Sequence, residues 1–280
     1  MRSVFAGLSA LVATLALALA LPVGWVAQHV ADEDGYVAFS TELVDDREFR
    51  GEIVQAVTDD IVKRAGVPEA FAPAVRSALK AASADVVESP DFRAAFGDAQ
   101  RETHRAVFGD AADMPAGMDA EDRVVIDLAP VAQTIIDAAT ADLPVSIEAP
   151  EQLMVAVGGS DERQAVDAID RMPRQATVLL AVAAVASALS LLAARRSSSM
   201  LAWLGVGAIA AAGLARALSM GVLSALLDSS NAPSALAARA QQLLADAALA
   251  SLDEWLVITV VGGGIAVALG LLARTISGSR

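Results

Sequence analysis

The chain has 280 residues, 55% of them hydrophobic and 19% charged, with a mean hydropathy of +0.53 and a formal net charge of −14. So much apolar surface excludes a disordered chain and argues against a wholly soluble globule. The negative balance argues against a nucleic-acid binder. The absence of cysteine excludes disulfides, thiolate metal sites and cysteine nucleophiles.

In chain order, the first apolar segment runs from Ser3 to Gln28 without a charge. Its length exceeds the short core of a signal peptide, and it ends in Trp25, a residue suited to the headgroup zone. An uncleaved anchor is therefore expected over residues 1–28; the alternative is a signal peptide cleaved after Ala20. Three more segments, Gln175–Ala194, Met200–Leu227 and Trp255–Ala273, each reach the ~20 residues a helix needs to cross hydrocarbon. Only Arg216 interrupts the third. The expected architecture is thus a mainly α membrane protein with four transmembrane helices.

Arg2 precedes the first span, Arg195 and Arg196 join the second to the third, and Arg274 and Arg280 follow the fourth. The positive-inside rule then gives N-in, C-in topology, with residues 29–174 and the loop 228–254 outside. Residues 29–174 carry 30 Asp/Glu and 13 Lys/Arg, a net of −17, whereas the remainder carries 4 Asp/Glu and 7 Arg, a net of +3. The acidity is confined to one extracytoplasmic segment, which anionic lipid would repel.

That segment reads as mostly helical with minor β. Asp45-Asp46-Arg47-Glu48 resembles a capping box with Glu48 at the third helical position. Phe49, Ile53, Val57 and Ile61 follow at spacing four, and Gly66 and Pro68 end the helix. A second stripe is Phe71, Val75, Leu79, Ala82 and Val86. A third helix opens with Ser89 as N-cap and Pro90 at the first position, and continues through Phe92, Phe96, Ala99, Thr103 and Val107. Residues 110–121 read as a loop, Val124–Ile126 as a strand, and 131–141 as a helix. Val145–Ile147 is a strand candidate that would pair with the first, and Met154–Val157 a third; a further helix starts near Ser160.

Within this order of parts, the local sequences Tyr36-Val37-Ala38, Thr41-Glu42-Leu43, Ser89-Pro90-Asp91-Phe92 and Val124-Val125-Ile126-Asp127-Leu128-Ala129-Pro130 carry a resemblance. The chain resembles a group of uncharacterised actinobacterial integral membrane proteins with an N-terminal anchor, a helical extracytoplasmic domain and three C-terminal spans. Phe96 lies near the place of that group's usual tryptophan. The resemblance implies a layout and no activity. Alanine abundance (63 residues) and the excess of arginine over lysine (18 to 2) point in the same bacterial direction.

Candidate chemistry is sparse. His104 has Glu102 two residues away, which is off its helix face, and Arg101 and Arg105 beside it, which disfavour a cation; a core or surface histidine is expected. His29 is expected at the interface. Asp32-Glu33-Asp34-Gly35 has the opening of a calcium loop, but Val37 and Leu43 stand where the EF-hand needs Gly and Glu. Asp45-Asp46, Asp59-Asp60 and Glu121-Asp122 read as a solvated acidic face. Walker, dinucleotide, nucleophile-elbow and His-Glu-x-x-His motifs are absent from the sequence. No catalytic residue, cofactor or metal ligand is assigned.

Arg216 is expected to snorkel or to pair with Asp228, Asp253 or Glu254. Small residues at spacing four, Gly213, Ala217 and Gly221 in the third span and Gly262, Ala266 and Gly270 in the fourth, are candidates for close helix packing. Residues 234–254 form an outer amphipathic helix candidate through Leu236, Ala240, Leu243, Leu244, Ala247 and Leu252. The expected function is a non-catalytic accessory subunit or scaffold of the cell envelope, with the lipid bilayer and a membrane-complex protein as partners. The alternatives are a transporter or channel-like protein using Arg216, and an extracytoplasmic ligand or cation sensor.

Overall fold

Four helices carry the apolar segments. In the computed structural model, which describes residues 2–64, 68–108, 124–140, 153–158, 166, 168–229 and 234–278, they are α1 (Arg2–Val26), α7 (Met172–Ala193), α8 (Ser197–Ser229) and α9 (Ala235–Gly278). All four are long and apolar enough to cross a membrane. Between α1 and α7 come α2 (Glu33–Thr41), α3 (Arg47–Arg64), α4 (Ala72–Ala82), α5 (Pro90–Phe108), β1 (Val124–Asp127), α6 (Ala129–Thr140) and β2 (Met154–Gly158). The chain divides into two units: one of Met1–Gln28, Ile169–Ser230 and Ala245–Arg280, the other of His29–Ala168 and Asn231–Leu244.

In the first unit the interior is made mostly of small residues, joined by Leu21, Trp25, Leu252 and Leu256, and most of the large apolar residues lie outside. On α1 the buried positions Ala6, Ser9, Ala13, Ala16 and Ala20 advance by alternating steps of three and four, one continuous seam. On α7 the buried set is Ala176, Ala183, Ala186 and Ser190. Ser190 Oγ donates to the Ala6 carbonyl at 3.0 Å. With the helices antiparallel, that register sets Ala13 level with Ala183 and Ala20 level with Ala176. Leucine, valine and phenylalanine (Phe5, Leu8, Leu15, Val185, Leu192) face outward.

The α8–α9 pair packs in the same manner, with glycine at the closest approach. A Cβ added to Gly263 would lie 2.8 Å from the Gly205 carbonyl oxygen, and one added to Gly270 would lie 2.6 Å from Ala202 N and Ser198 O. These pairs run in opposite chain directions, so α8 and α9 are antiparallel. Thr14 lies against Gly207, and Trp25 Nε1 donates to Ser251 Oγ at 3.1 Å. The four helices therefore alternate in direction. Arg2 shares a groove with Leu189 and Leu192, and Arg195, Arg196 and Arg274 share another, which gathers these arginines at one end of the unit. Trp25, at the end of α1, is buried against α9.

Among its described residues the second unit is helical with one two-stranded antiparallel ladder, β1 against β2, irregular between Val124 and Val125. The strand that pairs with β1 is thus Met154–Gly158; the candidate at 145–147, the loop 110–121 and the helix start near Ser160 lie outside the described residues. The core gathers Phe49, Ile53 and Val57 of α3, Phe92 and Phe96 of α5, Val131 and Ile135 of α6, and Leu236 and Ala240 of α9. Phe49 and Phe96 meet edge to face, with ring centroids 5.9 Å apart. Asp127 fixes one corner: its buried carboxylate accepts from Ala129 N at 2.9 Å and Leu153 N at 2.7 Å, which caps α6 and holds the start of β2.

Three local expectations shift. The α3 N-cap is Asp46, whose Oδ1 accepts from Phe49 N at 2.8 Å, so Glu48 sits one position earlier than a capping box requires. The second stripe fails at its ends, because Phe71 is exposed and Val86 lies in a separate 3-10 turn, Val86–Glu88. Residues 234–254 are not a separate helix: Ser234 caps α9, which continues unbroken to Gly278 because no glycine or proline interrupts residues 235–261. Ser89 caps α5 as the sequence indicates.

Gly263→Leu should destabilise the chain by about 1–3 kcal/mol through overpacking. Gly262→Leu, where no atom lies within 4 Å of an added Cβ, should change stability little. Thermal denaturation of both variants in lipid nanodiscs tests this; equal melting temperatures would contradict the packing face.

Candidate functional site

The ionisable residue inside an apolar segment is half of an ion pair. Arg216 Nε lies 2.7 Å from Asp253 Oδ1, joining α8 to α9. Asp228 and Glu254 are exposed and have no ion-pair partner among the described residues. Arg216 Nη1 and, one turn on, Ser219 Oγ are buried with no hydrogen-bond partner among those residues. Of the small residues singled out from sequence, only Gly270 lies at a close helix contact: Gly213 and Gly221 meet nothing within 4 Å, Ala217 is exposed, Gly262 faces open space and Ala266 is half-buried. The other glycines at close helix contacts are Gly205, Gly207 and Gly263.

In the second unit, the acidic clusters are occupied by arginine. Glu33 takes a two-point contact from Arg105, with Nε to Oε2 and Nη2 to Oε1 both 2.9 Å, and Arg101 Nε lies 3.2 Å away. The Arg105 hydrogen bond, with its charge, holds the Glu33 carboxyl below the usual carboxylate range. Asp59 pairs with Arg76, Asp60 with Arg64, and Asp45 with Arg93. Asp46 is lowered first by the Phe49 backbone N–H and then by Arg239, whose Nη2 lies 2.9 Å from Oδ2. Asp32, from the calcium-like run, caps α2 by accepting from Gly35 N at 2.9 Å. Glu121 and Asp122 lie outside the described residues. Among the described residues no group of three or more His, Asp or Glu converges as a metal site.

One partly open space stands out among the described residues. A cavity of about 230 Å³ lies among α2, α3, α5 and the first turns of α9, walled by Leu43, Phe49, Phe96, Phe108, Ala240 and Leu244. Its polar lining is Tyr36, Ser40, Gln100, Thr103, His104 and Gln241. The Tyr36 hydroxyl donates to Gln100 Oε1 at 2.8 Å, and burial pushes its pKa up to about 12. His104 is buried, stacked on Phe108 with centroids 4.6 Å apart, and its Nε2 lies 3.1 Å from the Val30 carbonyl. His104 is thus a core histidine. His29 meets Phe39 edge to face. Sequence reading missed Tyr36 and Gln100. The available signal was a glutamine four residues after Phe96 and four before His104, polar residues on an apolar face.

Comparison with known protein families, curated proteins and solved structures returns no match.

The Asp46 carboxyl has a folded-state pKa below its unfolded value, so its contribution is complete near neutrality. It fades as pH falls through the usual carboxylate range near ~4, and is gone below the folded pKa. Asp46→Asn keeps an acceptor for the cap but loses the Arg239 ion pair. At pH 7 it should cost about 0.5–1 kcal/mol, and the difference from wild type should shrink steadily as pH falls through the usual carboxylate range toward the lowered folded pKa. Urea denaturation across pH measures it; a constant difference would contradict the ionic contribution.

Proposed function

We propose that this chain is a non-catalytic integral membrane protein of a bacterial cell envelope, N-in and C-in, that holds an acidic helical domain outside the membrane as an accessory subunit or scaffold. The observation that carries the reading is the inverted size pattern of the first unit, with mostly alanine, glycine and serine inside and some thirty large apolar side chains, chiefly leucine, valine and isoleucine, exposed outside. Water would penalise that arrangement heavily, whereas hydrocarbon does not. The arginines collected at one end support the orientation under the positive-inside rule. The layout supports membership of the actinobacterial group that the sequence resembles.

The same packing supports retention of α1, whose buried alanine seam and Ser190 bond to Ala6 tie it into the helical unit. Transport through Arg216 has less support. Its charge is met by Asp253, and residues 175–194 and 255–273 contain no ionisable side chain. Exposed Gly213, Ala217 and Gly221 leave a smooth helix face for a partner's membrane helix.

The cysteine-free sequence makes topology directly measurable. Cysteine placed at exposed Glu69 should react with a membrane-impermeant maleimide in intact cells, whereas cysteine at Ser197 or Thr275 should react only after permeabilisation. The reverse pattern would overturn the orientation. Purification from native membranes in mild detergent should bring down a near-stoichiometric protein partner, and a chain that runs alone would count against the accessory-subunit reading.

A further inference from the structure

We propose that the cavity beside His104 is a binding site for one small, neutral, hydroxyl-bearing ring compound, of phenol-like chemistry. Volume sets the size: a dry cavity of about 150 Å³ accommodates benzene, so about 230 Å³ has room for one substituted ring. Phe49, Phe96 and Phe108 among the walls provide aromatic faces and edges for it.

Hydrogen-bond accounting sets the functional group. Ser40 Oγ donates to the Val37 carbonyl and Thr103 Oγ1 to the Ala99 carbonyl, so neither hydroxyl hydrogen is left over. The Tyr36 hydroxyl hydrogen is used on Gln100 Oε1. Gln100 is only 2% exposed, and its amide nitrogen has no hydrogen-bond partner among the described residues. The Val30 carbonyl can only accept, so His104 carries its hydrogen on Nε2, and in the neutral ring Nδ1 is an acceptor without a partner there. Gln100 and His104 are four residues apart on α5, hence on one face. Gln241 also lines the cavity and has partners of its own; among the other polar lining residues, Gln100 and His104 thus leave one donor and one acceptor side by side without a partner among the described residues. A hydroxyl accepts from the first and donates to the second, whereas a plain hydrocarbon does neither. Among the described residues no Asp, Glu, Lys or Arg lines the cavity, so a charged ligand would lack a counter-ion among them. A water molecule would satisfy the polar end and leave the apolar remainder unfilled.

The test uses the full chain in lipid nanodiscs with 4-fluorophenol as the probe, followed by fluorine NMR against empty nanodiscs. Fluorobenzene is the hydroxyl-free control. We expect saturable one-to-one binding above the lipid background, with fluorobenzene about fivefold to tenfold weaker. Gln100→Leu should remove most of that preference while leaving a ring site. Ala240→Phe should fill the cavity and abolish binding of both probes; Val107→Phe, at a half-buried wall position, gives the same test if the first variant does not fold by circular dichroism. Binding no greater than to empty discs overturns the proposal. So does binding that survives a folded cavity-filling variant, and so does equal affinity for the two probes.

Discussion

The first unit depends on how closely its helix backbones can approach. Ala6, Ala13 and Ala20 of α1 run beside Ser190, Ala183 and Ala176 of α7, and Gly205 meets Gly263 with no room for another carbon. Where the surroundings are as apolar as leucine, burying leucine gains nothing, and association rests on van der Waals contact between backbones. Large side chains in the seam would hold the helices apart. They are accordingly displaced to the outer faces, and the inverted pattern of exposure follows from this one constraint.

The acidic unit relies on a different device. Its carboxylates are set at helix starts and opposite arginines. Asp32 and Asp46 cap helices, Asp127 ties a strand start to a helix start, and Glu33 binds Arg105 through two parallel contacts. Arginine suits this use because its planar fork meets both carboxylate oxygens at once, which a lysine cannot do. The strong excess of arginine over lysine thus has a local structural role as well as a compositional origin. Most of these pairs are surface-exposed and individually weak. Their effect is to fix directions between helices whose shared apolar core, from Phe49 to Ala240, supplies most of the stability.

How much of this was legible in the sequence depended on whether the signal was local. Apolar length alone located the four long helices, and Ser89-Pro90 located the start of α5, because a capping hydroxyl and a fixed φ act within one turn. The periodicity of Phe92, Phe96, Ala99 and Thr103 likewise named a buried face. Pairing information was not local. Nothing in the order of residues distinguishes Gly213 from Gly205, since both sit in alanine-rich helix, and which one touches a neighbour is decided by the rotation of the whole helix. Alternation pointed to Val145–Ile147 as the partner of β1, whereas the strand that pairs with it is Met154–Gly158. The continuous α9 was hidden by the change from an amphipathic to a uniformly apolar pattern near Trp255, which reads as a boundary although the backbone never meets a helix breaker there. Tyr36 and Gln100 meet only in the fold, 64 residues apart.

That ambiguity of small-residue packing also explains why an arginine is kept in an apolar helix. A seam of alanine and glycine is nearly self-similar: sliding α9 along α8 by seven residues again sets small against small. Dispersion energy alone would separate such registers only slightly. The Arg216–Asp253 pair does not repeat. It joins the two helices in the register that also opposes Gly205 to Gly263 and Ser198 to Gly270, and any slip would strand both charges where solvation is poor. A buried or half-buried ion pair contributes little net stability against an apolar replacement, but it penalises alternatives strongly. On this argument the pair sets the register of the bundle. The remaining donor on Arg216 and the hydroxyl of Ser219, without partners among the described residues, mark where that device leaves hydrogen-bonding capacity unused.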